Sequence, residues 1–227
     1  MKKSNLLITL VLLLSTFMSC SEDENLTLED NSVAFKTYEL KRNASGEYSI
    51  DINVEDNVSI DKVKNTTNNT NEFYLSSTSL LSKEQDYSSD LMFDNENFKI
   101  EFIVENSRKT PSISIVDDNI LYTAKTSDEF LKEYSISKNE EGLYDLDFTV
   151  RNKVSVDFIY DEETDIYEIH LEETEKSQES NSYFRTFENE GLLQIDFVNH
   201  SSYNAKSEME SFTERKPRII IDEGEDL

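Results

Sequence analysis

The sequence predicts an all-β protein built as two tandem homologous antiparallel β-sandwich-like domains. Apolar and polar residues alternate with a period of two in many segments, which is the pattern of strands with one buried face. A 24-residue stretch also occurs twice, at positions 38–61 and 134–157, and nine of its 24 aligned positions are identical. Chance would give about one or two identities, so the offset of 96 residues indicates an internal duplication.

Each copy is expected to open with a β-hairpin. Its turn contains Asn43 and Gly46 in the first copy and Asn139 and Gly142 in the second, and both residue types suit turn geometry. A second hairpin follows, then a long polar segment, residues 79–97 or 174–192, and then another alternating strand. We therefore expect six strands in each copy. Residues 126–134 are the one stretch whose pattern predicts a short helix.

These elements predict the domain organisation. Residues 36–118 form repeat 1, residues 119–133 a connector, and residues 134–227 repeat 2. Copies of this size suit a small sandwich each. The alternative is a single barrel or sandwich that contains strands of both copies.

The N-terminal residues indicate export. Residues 1–19 read as a secretory signal, with Lys2 and Lys3 before an apolar run that is too short to span a bilayer. Phe17-Met18-Ser19-Cys20 resembles the lipobox of bacterial lipoproteins. The resemblance implies that Cys20, the only cysteine, is acylated and anchors the mature chain to a membrane. An ordinary signal peptide with an incidental cysteine is the alternative.

Residues 20–35 are expected to form an acidic lipidated tether. Ser21, Glu22, Asp23 and Glu24 directly follow the cysteine. This acidic run is similar to the export tag of lipoproteins that are displayed on the outer face of the outer membrane. The resemblance implies a lipid-anchored outer-membrane protein at the cell surface, and a periplasm-facing anchor with an acidic tether is the alternative.

The charge of the chain excludes some partners. Its formal net charge is −26, and removing Lys2 and Lys3 with the signal leaves 20 basic against 48 acidic side chains, or −28. Such a surface repels nucleic acid and anionic membranes, and it attracts cations and basic proteins. We expect no nucleic-acid partner.

The sequence offers little for catalysis or for a metal. It contains no GxSxG elbow or glycine-rich phosphate loop, so we predict a non-enzymatic protein without a cofactor. Two histidines, His170 and His200, supply few nitrogen ligands for zinc, and alternation predicts an exposed His170. Asp161, Glu163 and Asp165, in an acidic turn, are weak candidate calcium ligands.

The long polar segments hold the candidate ligand-binding residues. Apolar or cationic side chains there fit none of the expected strands: Tyr87, Met92 and Phe93 in the first copy, and Tyr183, Phe184, Arg185 and Phe187 in the second. Long connections are often binding loops, so these residues predict a binding or adhesion role toward a glycan or a protein. Alternatively, the aromatic rings cap the core. A structural or accessory envelope subunit and a carboxylate-dependent hydrolase are the other functional hypotheses.

Overall fold

The protein is an all-β structure of fourteen strands. The computed structural model describes residues 35–78, 85–92, 96–117, 130–188, 191–202 and 211–224, and these contain no helix. The strands are β1 (Phe35–Arg42), β2 (Tyr48–Val54), β3 (Val58–Asn65), β4 (Thr70–Ser77), β5 (Gln85–Leu91), β6 (Asn97–Val104), β7 (Ser112–Val116), β8 (Leu131–Lys138), β9 (Tyr144–Val150), β10 (Val154–Asp161), β11 (Ile166–Glu173), β12 (Ser182–Phe187), β13 (Leu192–Ser202) and β14 (Ser211–Asp222). The prediction of an all-β class is confirmed.

Both copies contribute strands to both sheets. The six-stranded sheet has the order β12-β9-β8-β1-β2-β5, and the eight-stranded sheet has the order β10-β11-β13-β14-β7-β6-β4-β3. The copies meet where β1 pairs with β8 in one sheet and where β7 pairs with β14 in the other. The prediction of two separate sandwich domains, residues 36–118 and 134–227, is therefore wrong. Residues Ser32–Leu227 form one compact unit.

An approximate twofold axis relates the copies. In the six-stranded sheet Leu40 pairs with Ile136, its own counterpart 96 residues later. In the eight-stranded sheet the counterparts are Ile113 with Ile219 and Ile115 with Ile221. There Ile113 pairs with Ile221 and Ile115 with Ile219, so each residue pairs with the counterpart of the other, as a twofold axis requires. In each sheet this pairing satisfies the backbone hydrogen-bonding groups on two strand edges, which would stay unpaired if the copies were separate domains.

The repeat offset is confirmed for the first four strands of each copy and for β6 and β13. The first four strands of the second copy begin and end 96 residues after those of the first, as in 131 − 35 and 138 − 42 for β8 and β1. After the long segment the offset is 95, because Phe102 on β6 and Phe197 on β13 occupy matching register positions. The opening turns also match, since Gly46 and Gly142 have φ angles of 71° and 81°.

One core serves both copies. The inward residues of β2 and β9, expected in two cores, belong to a single buried cluster: Tyr48, Ile50, Ile52, Val54, Tyr144, Leu146, Phe148 and Val150. The Tyr48 ring packs on Phe98 of the opposite sheet at 5.0 Å, and the Phe148 ring packs on Phe197 at 5.4 Å. The two sheets therefore pack face to face in both copies.

Each long segment contains an additional strand. The segments at 79–97 and 174–192 include β5 and β12, which form the two edges of the six-stranded sheet. The chain thus leaves the eight-stranded sheet after β4, adds β5 to the other sheet, and returns as β6. Because of this crossover β4 and β6 are parallel, as are β11 and β13, so the expectation of a wholly antiparallel fold is wrong.

The predicted short helix is also wrong where the structure describes it. Residues 131–134 lie in β8, and residues 126–129 lie outside the described part of the chain. The connector predicted at 119–133 therefore ends in a strand. Pairing with β1 and β9 on both sides satisfies the backbone of β8, and this tertiary contact overrides the local helical pattern.

Candidate functional site

The outer face of the six-stranded sheet carries a concentration of acidic side chains. Alternation on its strands points the apolar residues into the core and the polar residues to solvent. The outward positions that follow regular alternation hold seven carboxylates and one lysine, and two more lysines, Lys36 and Lys132, lie at the bulges of β1 and β8. The eight regular positions are Glu39, Asp51, Asp86, Asp90, Glu133, Asp145, Asp147 and Lys41. We call this surface the acidic face.

Two grooves on the acidic face are related by the repeat. A groove of about 570 Å³ is lined by Glu39, Asp51, Asn53 and Asp86, among other residues. A groove of about 350 Å³ is lined by Ser135, Asp147, Thr149 and Ser182, which occupy the corresponding positions of the second copy. Both also reach β1 and β8, so the two grooves flank the central strand pair.

Lys41, which lines the second groove, neutralises part of the charge of the first. The Nζ atom of Lys41 lies 2.7 Å from Oδ2 of Asp51 and 2.9 Å from a carboxylate oxygen of Glu39, and the Ser88 hydroxyl donates to Asp51 at 2.5 Å. Hydrogen bonds from Lys41 and then Ser88 lower the pKa of Asp51, and the bonds to Asp51 and Glu39 raise the pKa of Lys41. Both shifts favour the charged forms, so Asp51 and Lys41 are ionised at neutral pH.

Asp147, which lines the second groove, lacks equivalents of both partners, although Lys41 itself also lines that groove. The positions equivalent to Lys41 and Ser88 hold Ser137 and Phe184, 96 residues later. Asp147, the counterpart of Asp51, therefore stands opposite the Phe184 ring in the strand register, and this ring is 60% exposed. An exposed aromatic ring beside a carboxylate is a surface to which a cationic or a hydroxyl-rich group can bind.

A buried ion pair lies beneath the acidic face. Nε of Arg42, at the end of β1, donates to Oδ2 of Asp117 at 2.8 Å, and the Tyr48 hydroxyl donates to the same oxygen at 2.8 Å. The Tyr134 hydroxyl lies 3.1 Å from that of Tyr48. Burial alone would lower the pKa of Arg42, but Asp117 outweighs it, so the pKa lies above its ordinary value. Burial raises the pKa of Tyr48, which stays protonated.

The repeat places a second ion pair at the equivalent point. Lys138, 96 residues after Arg42, donates to a carboxylate oxygen of Glu223 at 2.6 Å. Asp117 and Glu223 each directly follow the last strand of their copy. Each pair thus joins the first strand of a copy, in the six-stranded sheet, to the end of the last strand of the same copy, in the eight-stranded sheet. Of these two pairs, only that of the first copy is fully buried. The recurrence of a cation and an acid at these positions was visible in the sequence.

The predicted ligand-binding residues of the long segments occupy different environments. Tyr87 packs edge-on against Phe73 at 5.9 Å, Tyr183 stacks on Phe148 at 5.3 Å, and Phe187 is buried. These three cap the core, as the alternative interpretation predicts. Phe184 and Met92 are exposed.

Two further predicted residues complete this set. Arg185 lies on the inward side of β12, where its guanidinium covers the Phe158 ring at 4.9 Å. At the opposite edge Lys62 of β3 likewise lies over an aromatic ring, that of Phe73, at 5.9 Å, and it donates to the Ser89 hydroxyl at 2.8 Å. Phe93 lies outside the described residues.

The weak calcium candidates Asp161 and Asp165 accept hydrogen bonds at the turn between β10 and β11. Asp161 accepts a hydrogen bond from the backbone N–H of Glu163 at 3.0 Å, and Asp165 accepts one from the Tyr160 hydroxyl at 2.7 Å. The bond to Asp165 raises the pKa of Tyr160 to about 12. Within the described residues no group of three or more His, Cys, Asp or Glu side chains is arranged to hold a metal ion.

The predicted anchor and export signal lie outside the described residues. This applies to Cys20, Ser21, Glu22, Asp23 and Glu24. In the part of the chain that is described, no helix is long and apolar enough to cross a membrane.

Comparison of this chain with known proteins identifies no similar protein. No protein-family pattern, curated protein sequence or solved structure matches this chain.

Proposed function

We propose that this chain is a lipid-anchored outer-membrane protein at the cell surface that binds a basic segment of a protein ligand on its acidic face. The anchor is supported by Cys20 and the lipobox-like residues before it, and surface display by the acidic residues after it. We also infer that the two halves descend from one duplicated unit, which explains why the acidic face has two equivalent grooves.

The observation that carries the ligand class is the charge of the acidic face. The seven outward carboxylates outnumber the lysines of these strands, so the acidic face has a negative potential, even though Lys138 lines the first groove and Lys41 and the buried Arg42 line the second. A ligand with lysine or arginine side chains relieves the repulsion among these carboxylates and is steered toward them. Next to the second groove, where Phe184 pairs with Asp147 in the strand register, the Phe184 ring can also contact such a side chain through its face.

A glycan is the second candidate, and Phe184 is the observation that favours it. Sugar rings stack on exposed aromatic rings, and Asp147 opposite Phe184 could accept hydrogen bonds from hydroxyl groups. The salt dependence of binding distinguishes the two candidate ligands. Contacts between exposed charges weaken as salt rises, whereas stacking and hydrogen bonds to a neutral glycan persist.

The test uses residues 32–227, which contain all the described strands in one compact unit. A fluorescently labelled lysine-rich peptide is titrated with the wild-type protein and with the triple variant Glu133→Gln, Asp145→Asn, Asp147→Asn. Exposed charge pairs contribute about 0.5 kcal/mol each, so the variant should bind roughly tenfold more weakly. A neutral-glycan array is probed in parallel.

The matched control removes three carboxylates from the outer face of the eight-stranded sheet, in Asp61→Asn, Asp157→Asn, Glu172→Gln. If both triple variants weaken binding equally, net charge alone attracts the peptide and the acidic face is not the site. If the peptide does not bind but a neutral glycan binds in high salt and requires Phe184, the glycan candidate is favoured. Absence of both interactions would favour a structural envelope subunit.

Surface display has its own test. Protease added to intact cells should cleave the wild-type protein, because its mature chain is predicted to face outward. Replacing Glu22, Asp23 and Glu24 with alanine should protect the protein if this run is the export signal. Equal cleavage of both forms would contradict the role of the acidic run.

A further inference from the structure

The two histidines of the chain converge on the outer face of the eight-stranded sheet. His170 lies on β11 and His200 on β13, and these strands are adjacent and parallel. Nδ1 of His170 is 2.7 Å from Nε2 of His200, and the ring centroids are 4.9 Å apart. The expectation that His170 stands freely exposed is wrong, since only 22% of its side chain is exposed.

A carboxylate holds the first ring in this orientation. Oε2 of Glu168, two residues before His170 on the same face of β11, lies 2.8 Å from Nε2 of His170. Glu168 is itself almost buried. Because Nε2 faces this carboxylate, Nδ1 is turned toward His200. Carboxylates orient metal-binding histidines in the same way, by accepting a hydrogen bond from the nitrogen that does not bind the metal.

Two carboxylates occupy strand positions next to the pair, although their side chains are not arranged with it as a metal-binding group in this structure. Glu172, on the same face of β11, is opposite His200 in the strand register, and Asp157 on β10 is opposite His170. The first copy has no such arrangement, because the positions of His170 and His200 hold Tyr74 and Glu105 there. The cluster therefore belongs to the second copy alone.

We propose that His170 and His200 bind one divalent transition-metal ion, through Nδ1 and Nε2 respectively. Imidazole nitrogens are common ligands of zinc, copper and nickel. Metal–nitrogen bonds of about 2.0–2.1 Å in tetrahedral geometry separate the two nitrogens by about 3.3 Å, so the rings must move apart by about 0.6 Å and tilt until both nitrogen lone pairs point at the ion. The ion replaces the proton shared between these nitrogens, and this proton moves to Nδ1 of His200. Water, or the Glu172 carboxylate after a side-chain rotation, completes the coordination.

The test is a calorimetric titration of residues 32–227 with zinc chloride, and with calcium chloride as a probe for sites made of oxygen ligands. The wild-type protein should bind one zinc ion per chain. His170→Tyr should bind at least about tenfold more weakly. This variant reproduces the first copy, where the Tyr74 hydroxyl donates to Glu72 at 2.8 Å, so the contact to Glu168 can be retained. His200→Gln should show the same loss of zinc affinity. It provides the test if His170→Tyr does not fold.

Asp165→Asn is the control, because it removes a carboxylate from the acidic turn and leaves both histidines in place. It should bind zinc as the wild-type protein does. The proposal is overturned if the wild-type protein does not bind zinc, if both histidine variants bind it normally, or if Asp165→Asn abolishes the binding. Ring-proton NMR signals of the histidines provide a second readout, since they should shift when zinc is added and stay unchanged with calcium.

Discussion

Truncation of Phe148 to alanine should lower the stability of the whole sandwich. The Phe148 side chain is 3% exposed and packs against rings on three other strands: Tyr183 of β12 at 5.3 Å, Phe158 of β10 at 6.0 Å and Phe197 of β13 at 5.4 Å. Removing a buried phenyl ring costs about 3–5 kcal/mol. In a unit of 150–250 residues each kcal/mol corresponds to about 2–4 °C, so the midpoint of thermal unfolding should fall by roughly 6–20 °C.

The two copies should respond together, because they share one core. Ile52, the counterpart of Phe148 in the first copy, is also buried, and Ile52→Ala should cost about 2–5 kcal/mol. Differential scanning calorimetry of the wild-type protein and both variants should each time show one transition. Its calorimetric and van't Hoff enthalpies should agree, as they do when a protein unfolds in a single cooperative step.

Two outcomes would refute this reasoning. The first is a pair of resolved transitions of which Phe148→Ala lowers one and Ile52→Ala the other, because the copies would then unfold as independent domains. The second is a loss below about 1 kcal/mol for Phe148→Ala, because the ring would then lack the dense packing on which the estimate rests.

Three further predictions concern the ion pairs and the anchor. Asp117→Asn leaves the buried arginine without its carboxylate and should lower the free energy of unfolding, measured with a chemical denaturant, by about 3–5 kcal/mol. Lys138→Met breaks the equivalent pair, which is partly exposed, and should lower it by about 0–1 kcal/mol. Asp51→Asn should lower the free energy of unfolding at neutral pH. The pKa of Asp51 is lowered from 3.8 in the folded protein, so the stability that its ionised form contributes is present above about 3.8 and is lost as the pH falls through the lowered pKa. The difference in stability between the variant and the wild type should therefore disappear in acid. Cys20→Ala should release the protein from membranes in cell fractionation, because the acyl chains supply the membrane affinity.

Each of these predictions has a contradicting result. Equal losses for Asp117→Asn and Lys138→Met would show that burial does not distinguish the two pairs. A constant difference between Asp51→Asn and the wild type at all pH values would show that the ionised carboxylate does not stabilise the fold. A Cys20→Ala protein that still sediments with membranes would contradict lipidation at this residue.

The sequence by itself identified the strands that form the core and the face each one buries. Tyr48, Ile50 and Ile52 alternate with polar residues, and all three are buried. This could be predicted because successive side chains of a strand point to opposite faces whatever the strand pairs with. The duplication and its offset were readable for a similar reason, since they are properties of the order of residues. The strands β5 and β12 were also visible as short alternations, Tyr87-Ser88-Ser89-Asp90-Leu91 and Tyr183-Phe184-Arg185-Thr186-Phe187, but the polar residues around them indicated a loop.

The tertiary structure decided which strands are neighbours, and with that the sites. Backbone hydrogen-bonding groups are the same on every strand edge, so no residue of β1 specifies that it pairs with β8 and makes one sandwich from two copies. The candidate sites depend on such pairings. Phe184 stands beside Asp147 because β12 pairs with β9, and His170 meets His200 because β11 and β13 are parallel neighbours. Residues 30 or more positions apart are brought together by strand order, which the local pattern of side chains does not encode.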